Sequence, residues 1–413
     1  MTGQIAIVGA GPSGCYLAQA LLKARPELTV DLIDRLPVPY GLVRYGVAAD
    51  HQGTKGVIRQ FARLFERQGA RFFGNLAVGE AMTLDDLRAA YDGVVLAAGL
   101  PEDRRLGVPG DDLDGVIGAG RLTRALYEHP DAVDLPEIGS RPLIVGNGNV
   151  AVDLLRLLAK TPDELEGSDL GAGPTDWLKA SAVEGITIAG RSPAARAKFD
   201  TVMIRELARL SGVSVRVVGL GESDDPDEAG KLQALAALDG HGEGPRRIIF
   251  RFDLRPLAIE GAARAEAVRF AGPEGEETIP CTSVLTAIGF GPAADLPRDA
   301  ILSKARDAEC GALGPGLYAT GWFRRGPRGT IPENRADAQA LAARMLADLN
   351  AVGWDPDKPG AEILKRLPDT TDYQGWTRID AAETDSPPAG RCRAKIATRE
   401  EMLRLAREKE TTQ

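Results

Sequence analysis

Cysteine is scarce in this sequence. The 413 residues include four cysteines, and no two of them form a CxxC pair. A disulfide framework, a zinc ribbon, an iron–sulfur cluster held by the chain and the redox-active dithiol of disulfide reductases are therefore all disfavoured. We predict no metal site and interpret the cysteines as reduced thiols. They are Cys15, Cys281, Cys310 and Cys392.

Positive charge and long apolar stretches are also lacking. Lysine and arginine number 50 against 59 acidic residues, which gives a net charge of −9, whereas a dedicated nucleic-acid-binding protein usually has a basic excess. No stretch of about 18 apolar residues occurs, so we predict no transmembrane helix. The opening MTGQ has no targeting pattern. We expect a cytoplasmic protein that binds neither nucleic acid nor membrane, and its oligomeric state stays open.

Glycine, by contrast, is abundant. The 48 glycines make up about 12% of the chain, against roughly 7% in an average protein, which indicates many tight turns or nucleotide-binding loops. Apolar residues make up 44% of the sequence, so the chain is able to form hydrophobic cores and is not mainly disordered. The length suggests two or three domains.

A glycine-rich loop follows the first predicted strand. The apolar run at residues 4–8 leads into Gly9-x-Gly11-x-x-Gly14 and a helix, and a second strand ends at Asp34. In a dinucleotide-binding βαβ unit, the glycines allow a tight turn, close approach of the backbone to a pyrophosphate and close helix packing. The acid binds a ribose hydroxyl. The pattern predicts a dinucleotide site, and its N-terminal position favours FAD.

A second glycine-rich loop begins another βαβ unit. The strand at residues 142–145 leads into Gly146-Asn147-Gly148-Asn149-Val150, and Ala151 stands where a third glycine is usual. Two such units predict two bound nucleotides and hydride transfer from a nicotinamide to a flavin. We therefore expect an α/β fold with two Rossmann-like dinucleotide-binding domains.

Three other regions lack a clear helix or strand pattern. We predict an ordered loop at residues 37–53, a surface segment at 221–244 and a mobile link at 380–390. Helical patterns predict further helices, at residues 54–68, 334–349 and 398–410.

Several longer motifs resemble those of one family. They are VGAGPSG at 8–14, VPYGLVRYGVAADH at 38–51, FFGN at 72–75, VGNGNVAVD at 145–153, GWFRRGPRGTI at 321–331 and EEMLRLAR at 400–407. Over nearly its full length the chain resembles the adrenodoxin-reductase type of ferredoxin–NADP+ reductase. The resemblance implies a glutathione-reductase-like fold without the redox disulfide. It also implies an FAD-binding domain at residues 1–103 and 320–413 and an NAD(P)H-binding domain at 104–319.

The resemblance also implies roles for single residues. In such proteins the first loop and Asp34 bind the adenosine half of FAD, and Trp322 lies against the flavin ring. Gly329 also matches a position touched by the nicotinamide nucleotide. His51 and Glu206 match a pair near the flavin and the nicotinamide, and they are the catalytic candidates. The remaining cofactor-binding candidates are Pro12, Ser13, Arg35, Gly41, Leu42, Val78, Gly99, Arg104, Thr330 and Ile331.

The sequence departs from the family where the 2′-phosphate of NADPH is usually bound. Arg191 matches the first of two adjacent arginines, but Ser192 replaces the second, and Met203 stands where a glutamate is usual. A nearby cation, Arg196 or Lys198, is able to restore the missing charge. We favour NADP(H) over NAD(H), and the alternative is NADH or weak discrimination.

A second departure is Arg328, which stands where the family usually has a threonine. With Arg324 and Arg325 it forms a basic cluster near the expected flavin. The cluster either steers an acidic ferredoxin or belongs to a solvated loop. The arginines of the last helix are interpreted as a solvated face. They are Arg399, Arg404 and Arg407.

Three functions remain open at this stage. The leading one is an FAD-dependent ferredoxin–NAD(P)+ reductase, which takes a hydride from NAD(P)H and passes single electrons to a ferredoxin. The second is a flavin oxidoreductase that acts directly on a small molecule such as a quinone, a nitro compound or a biosynthetic intermediate. The third is a non-catalytic nucleotide-binding scaffold or redox sensor.

Overall fold

The structure, a computed structural model, describes residues 3–408, apart from the side chain of Asp227. The strands are β1 (Gln4–Val8), β2 (Thr29–Ile33), β3 (Arg71–Phe73), β4 (Gly93–Leu96), β5 (Glu102–Asp103), β6 (Val116–Gly118), β7 (Pro142–Val145), β8 (Gly185–Ala189), β9 (Val213–Val218), β10 (Arg246–Arg251), β11 (Arg255–Glu260), β12 (Ala267–Gly272), β13 (Gly275–Pro280), β14 (Ser283–Thr286), β15 (Phe290–Gly291), β16 (Ala312–Gly314) and β17 (Leu317–Ala319).

The described residues also form α-helices of 4 to 22 residues. They are α1 (Pro12–Ala24), α2 (Leu42–Tyr45), α3 (Gln52–Lys55), α4 (Ile58–Arg67), α5 (Leu84–Ala90), α6 (Ala119–Leu126), α7 (Asn149–Ala159), α8 (Ala172–Ala180), α9 (Thr201–Leu207), α10 (Pro226–Leu238), α11 (Arg298–Leu302), α12 (Gly321–Arg325), α13 (Ile331–Val352), α14 (Tyr373–Asp385) and α15 (Arg399–Arg407). In this described part of the chain, none of the helices has the length and apolar composition that a membrane span needs.

The chain divides into two compact units. The first unit contains the described residues 3–102, 128–131 and 290–408, and the second contains residues 103–127 and 132–289. Strands β16 and β17 belong to the first unit because β17 pairs with β4. The boundary predicted at residue 320 would instead have placed these two strands in the second unit.

A six-stranded sheet forms the centre of the first unit. Its strand order is β16-β17-β4-β1-β2-β3, and every neighbouring pair except β16–β17 is parallel. The central strands are short continuous apolar runs such as QIAIV and GVVL, as expected for parallel strands that are covered on both faces. Helices α1 and α13 pack against each other in this unit. The carboxyl ends of β1, β2 and β4 therefore lie at one edge of the sheet, which is where open α/β sheets bind ligands.

The second unit repeats this arrangement around a parallel sheet of order β6-β14-β7-β8-β10-β9. A separate antiparallel sheet, β11-β12-β13, follows β10 in the chain. The predicted α/β class with two Rossmann-like units is confirmed.

The structure contains secondary structure that the sequence patterns missed. The predicted loop at 37–53 contains α2 and the first two residues of α3, and the predicted surface segment at 221–244 contains α10. The predicted mobile link at 380–390 is wrong for its first half, because α14 continues to Asp385. The helix predicted at 334–349 begins earlier, at Ile331. The predicted last helix is α15, and the end assigned to it at residues 409–410 lies outside the described residues.

A buried ion pair fixes α14 in place. Glu383 is fully buried and accepts a hydrogen bond from the buried Arg44 of α2. It also accepts hydrogen bonds from Arg393 and from the backbone amide of Ile396. Burial alone would raise the pKa of Glu383, but Arg44 and Arg393 hold that pKa below its ordinary value. Removing one partner of such a pair leaves an uncompensated buried charge, which costs about 3–5 kcal/mol, so α2 and α14 are firmly tied together.

Candidate nucleotide-binding sites

The first glycine-rich loop connects β1 to α1. Gly9 has a φ of +113°, and a Cβ there would lie 2.4 Å from the carbonyl oxygen of Ala97. A Cβ on Gly14 would lie 2.0 Å from the carbonyl oxygen of Gly9. A Cβ on Gly11 would instead meet nothing nearer than the Cα of Gly41, 4.0 Å away. Two glycines are therefore required by the fold itself, whereas the space above Gly11 is open for a ligand.

Helix α1 begins beside this open space without a side-chain cap. Its N-cap residue is Gly11, and Pro12 occupies the first turn. The free amides and the positive end of the helix dipole are therefore available to an anion. This cradle matches the pyrophosphate of FAD, which the first loop is expected to bind.

Asp34 lies at the end of β2, next to the loop. Its carboxylate accepts hydrogen bonds from the backbone amides of Ala10 at 2.8 Å and Leu36 at 3.0 Å. Burial raises the pKa of Asp34, and the two amides oppose this rise. The carboxylate is thus held in a set orientation, as an acceptor for ribose hydroxyls requires.

Arg35, the residue after Asp34, is held in place by a residue near the C-terminal end of the chain. Arg399, at the start of α15, donates hydrogen bonds to the carbonyl oxygen of Arg35 at 2.8 Å and to the side chain of Asn75. It also forms an ion pair with Asp131. The prediction of a solvated face is therefore wrong for Arg399. Arg399 directly precedes the motif EEMLRLAR and holds the loop that follows Asp34.

A strained turn carries the segment before α2 across the first loop. Tyr40 has a φ of +82° and Gly41 a φ of +46°. The amide of Tyr40 donates to the carbonyl oxygen of Ala10 at 2.9 Å, so the turn is bound directly to the glycine loop. Leu42 follows and is 44% exposed. Strained backbone of this kind clusters at ligand sites.

A second group of residues in the first unit surrounds Trp322. The Trp322 ring stacks on Phe290, with ring centroids 5.9 Å apart. Its Nε1 donates to the carbonyl oxygen of Gly329 at 3.2 Å, and Gly329 has a φ of +92°. Thr330 then forms the N-cap of α13, and Ile331 is its first residue. Phe290 was not among the predicted site residues. The only sequence signal for it was its place in the glycine-containing run AIGFG.

The basic cluster of residues 324–328 is largely internal to this unit. Arg324 and Arg325 both form ion pairs with Asp337 of α13. Asp337 also accepts from the amide of Gly321 at 2.8 Å, so the two arginines hold α12 against α13. Burial would raise the pKa of Asp337, but the Gly321 amide and Arg324 keep it below its ordinary value. Among the described residues, Arg328 is the exposed member of the cluster without a side-chain partner, and the predicted cluster is not a steering patch as a whole.

Asn334, near the start of α13, accepts hydrogen bonds from the first loop and from α12. Ser13 donates from its hydroxyl to the side-chain oxygen of Asn334 at 3.1 Å, and Arg325 donates to the same oxygen at 2.7 Å. Residues 13 and 334 are 321 positions apart in the sequence. The glycine loop and the turn at 329–331 therefore belong to one constellation in the first unit.

The second glycine-rich loop connects β7 to α7 in the second unit. Gly146 has a φ of +133°, and a Cβ there would lie 2.2 Å from the carbonyl oxygen of Ala287. A Cβ on Gly148 would meet no atom within 4 Å. Helix α7 begins after Gly148 without a side-chain cap and runs through Val150. Ala151, in place of the usual third glycine, is fully buried. The loop therefore offers the same kind of open anion cradle as the first one.

The asparagines of this loop hold the segment after β8. Asn147 donates from its side chain to the hydroxyl of Ser192 at 2.9 Å, and its carbonyl oxygen accepts from the amide of Lys198 at 3.0 Å. Asn149 accepts from the amide of Asp200 at 2.8 Å. Ser192 is thus a hydrogen-bond partner of the loop, in the place where the family usually has an arginine.

The cations of this segment differ in their availability. Arg196 pairs with Glu228 at 2.9 Å, and the bond raises the pKa of Arg196 above its ordinary value. Arg191 and Lys198 are exposed, and within residues 3–408 neither side chain has a recorded partner. Met203 is buried in α9 and does not face solvent. Of the two cations that the sequence offered as replacements, Lys198 is the available one.

The catalytic candidates lie in different units. His51 is half-buried in the first unit, in the loop that leads into α3. Glu206 lies on α9 in the second unit, and its carboxylate is 3.7 Å from Nε of the buried Arg156 of α7. Arg156 also binds Asp153 at 3.0 Å. The Glu206 carboxylate thus lies within ion-pair distance of an arginine.

The remaining predicted positions fall at the edges of these sites. Val78 is buried in the first unit's core, and Gly99, with a φ of +69°, comes soon after β4. Arg104 lines a cavity of about 300 Å³ in the second unit, together with Asp103 and Asp111. Asp103 accepts from the amides at the start of α6. In the part of the chain that the structure describes, no group of three or more acidic, histidine or cysteine side chains is arranged to hold a metal ion.

Comparisons with known proteins point to one family. A family model described as pyridine nucleotide-disulphide oxidoreductase matches residues 3–216. The cindoxin reductase of Citrobacter braakii is 42% identical, over 98% of this chain and 91% of that protein. The NADPH-ferredoxin reductase FprA of Mycobacterium tuberculosis is 34% identical, over 97% of this chain and 98% of its own.

Solved structures agree with this match. The structure of Mycobacterium tuberculosis FprA in complex with NADPH superimposes with a TM-score of 0.91 at 33% identity, and the match covers 98% of this chain and all of that one. The thioredoxin reductase of Lactococcus lactis superimposes with a TM-score of 0.51 at 15% identity over 84% of this chain and 98% of its own, which indicates a shared fold only.

Proposed function

Because the chain belongs to the pyridine nucleotide-disulphide oxidoreductase family, we propose that it is an FAD-dependent reductase that passes electrons from NADPH to a ferredoxin-type protein. The observation that carries the proposal is the pair of glycine loops. Each follows a parallel strand, each has an open second glycine, and each begins a helix without a side-chain cap. The predicted family resemblance is confirmed by relatives that are named as reductases of this kind.

The absence of a CxxC pair from the sequence decides where the electrons go. A disulphide reductase of this family passes electrons to a redox-active disulphide formed by a cysteine pair, and this chain has four free cysteines instead. We therefore propose that an external one-electron carrier accepts the electrons. Free thiols are typical of proteins in a reducing compartment, which supports a cytoplasmic location.

Different residues of the first unit would bind different parts of FAD. The amides at the start of α1 bind the pyrophosphate, and the fixed carboxylate of Asp34 accepts hydrogen bonds from the ribose. Trp322, stacked on Phe290, is the side chain that would lie against the flavin. When bound, FAD supplies the chemistry of accepting a hydride and releasing single electrons. We keep His51 and Glu206 as the residues expected near the reacting rings.

The second unit holds NADPH, with Lys198 as a replacement for the missing arginine. The backbone amide of Lys198 donates a hydrogen bond to the carbonyl oxygen of Asn147 in the second loop. The side chain of Lys198 therefore begins next to the expected nucleotide. Arg191 follows β8, where an arginine binds the 2′-phosphate of NADP. Together the two exposed cations restore the charge that Ser192 removes. Arg196 is neutralised by Glu228 and contributes less.

We expect Lys198→Ala to reduce the preference for NADPH over NADH. Loss of one charged contact to the 2′-phosphate costs about 1.5–3 kcal/mol, or roughly 10- to 150-fold in the ratio of the two kcat/KM values. The value for NADH should change little, because NADH has no 2′-phosphate. Steady-state reduction of ferricyanide with each nucleotide measures the ratio.

Arg196→Ala is the matched control for this prediction. It removes a cation two residues away that is already paired, so we expect the ratio to change little. An equal loss of preference in both variants would contradict the assignment of Lys198.

Anaerobic stopped-flow absorbance tests the proposed function itself. We expect the flavin band of the purified protein to bleach on mixing with NADPH at far lower concentration than with NADH. The reduced protein should then be reoxidised by a ferredoxin in one-electron steps. Equal bleaching by both nucleotides would contradict the choice of NADPH, and no bleaching by either would overturn the reductase proposal.

A further inference from the structure

Helix α4 carries a row of arginines that the nucleotide sites do not use. Arg59, Arg63 and Arg67 are spaced four residues apart, so they lie on one face of the helix. All three are exposed, and within the described residues none has a recorded hydrogen bond or ion pair. Phe61 and Leu64 of the same helix are buried in the core. We call the three arginines the α4 arginine row.

Such a row is unusual for this chain. Like charges four residues apart repel each other and weaken a helix, and the chain as a whole has a net charge of −9. On other helices several arginines are paired with acids. Arg344 pairs with Asp348 on α13 at 2.9 Å, and Arg404 binds two glutamates on α15. The single acid of α4, Glu66, instead accepts from the hydroxyl of Tyr373 at 3.4 Å.

The basic surface extends to the neighbouring helices. Lys23 of α1 and Arg335 of α13 are exposed, and among the described side chains neither has a hydrogen-bond or ion-pair partner. A cavity of about 320 Å³ lies between them and α4. No carboxylate lines it, and the other polar side chains around it are Tyr16, Gln19, Gln60, Gln68 and Gln339. The surface therefore combines cations with neutral amides.

We propose that the α4 arginine row, flanked by Lys23 and Arg335, is the docking surface for an acidic face of the electron-accepting protein. This inference rests on the proposed function, because it assumes an external protein acceptor. Guanidinium groups bind carboxylates in a planar, two-pronged geometry. A row of unpaired positive charges on an acidic protein also orients an acidic partner as it approaches.

The position of α4 suits such a partner. Gln60 of α4 donates to Gln19 of α1 at 2.8 Å, and the N-terminus of α1 is the FAD cradle. Helix α4 also follows the segment that carries Leu42 and His51. A partner bound on α4 would therefore rest on the unit that holds the flavin.

A membrane surface is the less suitable occupant. Helices that lie on membranes insert exposed apolar side chains between the lipids. On α4 the apolar side chains face the core, where Ile58 and Phe65 pack beside the buried Phe61 and Leu64. The row is therefore basic without an apolar flank, which favours an acidic protein.

The test compares two triple variants of the FAD-loaded protein. Arg59→Gln, Arg63→Gln and Arg67→Gln together neutralise the row. Arg216→Gln, Arg247→Gln and Arg255→Gln change the net charge equally, at exposed arginines of the second unit that have no side-chain partner in the described structure. The row variant should fold at least as well as the wild type, because it removes repulsion. Thermal unfolding checks this.

The probe is a plant-type [2Fe–2S] ferredoxin of acidic surface. At about 20 mM salt we expect the row variant to raise the dissociation constant, and the KM in NADPH-driven reduction, by roughly tenfold or more. The difference should fade at about 0.5 M salt, where charges are screened. Reduction of ferricyanide, which needs no docking, should be unchanged in both variants.

The possible outcomes separate the docking inference from the proposed function. Unchanged ferredoxin binding in the row variant, or an equal loss in the control, would overturn the docking inference. So would a wild-type protein that does not bind ferredoxin at low salt. Loss of binding to phosphatidylserine vesicles without loss of ferredoxin binding would assign the row to a membrane and also overturn it. Row-dependent binding without any NADPH-driven ferredoxin reduction would overturn the proposed function alone.

Discussion

Replacement of Gly11 by alanine is expected to yield a folded protein that has lost most of its FAD. A Cβ at this position would meet nothing nearer than the Cα of Gly41, 4.0 Å away, apart from its chain neighbours, and the φ of −75° is accessible to alanine. The methyl group would instead fill the space where the pyrophosphate approaches the backbone. Such overpacking costs about 1–3 kcal/mol, or roughly 5- to 150-fold in FAD affinity. The ratio of flavin to protein absorbance, and titration of the apoprotein with FAD, measure the loss.

Gly314→Ala is the matched control for this variant. Gly314 lies on β16 of the same unit, and a Cβ there would also meet nothing within 4 Å. We expect the control to retain its flavin. Thermal unfolding should be compared between apoproteins, because bound FAD itself raises the apparent stability. A Gly11→Ala protein that keeps stoichiometric FAD would contradict the cradle described for the first loop.

The second large effect is expected at the corresponding glycine of the other unit. Gly148→Ala should leave the flavin content unchanged and raise the KM for NADPH by roughly 5- to 150-fold, equivalent to about 1–3 kcal/mol. The physical reason is the same, since a Cβ on Gly148 meets no atom of the described chain within 4 Å and so obstructs only the nucleotide. Ferricyanide reduction at varied NADPH concentration measures the KM.

Gly173→Ala, on α8 of the same unit, serves as the control because its Cβ is equally unhindered. Gly11→Ala should affect FAD alone, and Gly148→Ala should affect NADPH alone. If Gly148→Ala removed the flavin, or left the KM unchanged, the assignment of one nucleotide to each loop would be wrong. The two variants together therefore test whether the first unit binds FAD and the second unit binds NADPH.

The two glycine loops and the α/β class were predictable because they depend on near neighbours in the chain. The turn at Gly9, the acid at Asp34 and the apolar strands on either side all lie within about 30 residues, which is the length of one βαβ unit. Within such a unit the steric requirements act between near neighbours, so the residue types indicate the backbone conformation. The strands β1 and β7 have the predicted bounds for the same reason.

Two of the predictions that failed concern charged residues whose partners lie outside the local sequence pattern. Nothing near Glu383 indicates that it is buried against Arg44, 339 positions away, and the segment therefore resembled a mobile link. Arg324 and Arg325 looked like a surface patch until Asp337 was seen to bind both. In each case the local pattern was that of a solvated charge.

The choice between Arg196 and Lys198 also depended on the tertiary structure and not on the local sequence. Local composition placed both cations near the second loop, and it had no means of separating them. The pairing of Arg196 with Glu228, on a helix about 30 residues later, leaves Lys198 as the available charge. Residue types and short spacings thus defined the nucleotide loops, because backbone sterics and strand–helix periodicity are local. The tertiary structure decided which charges are buried, paired or available, because a charge's environment depends on chain segments that only folding brings together.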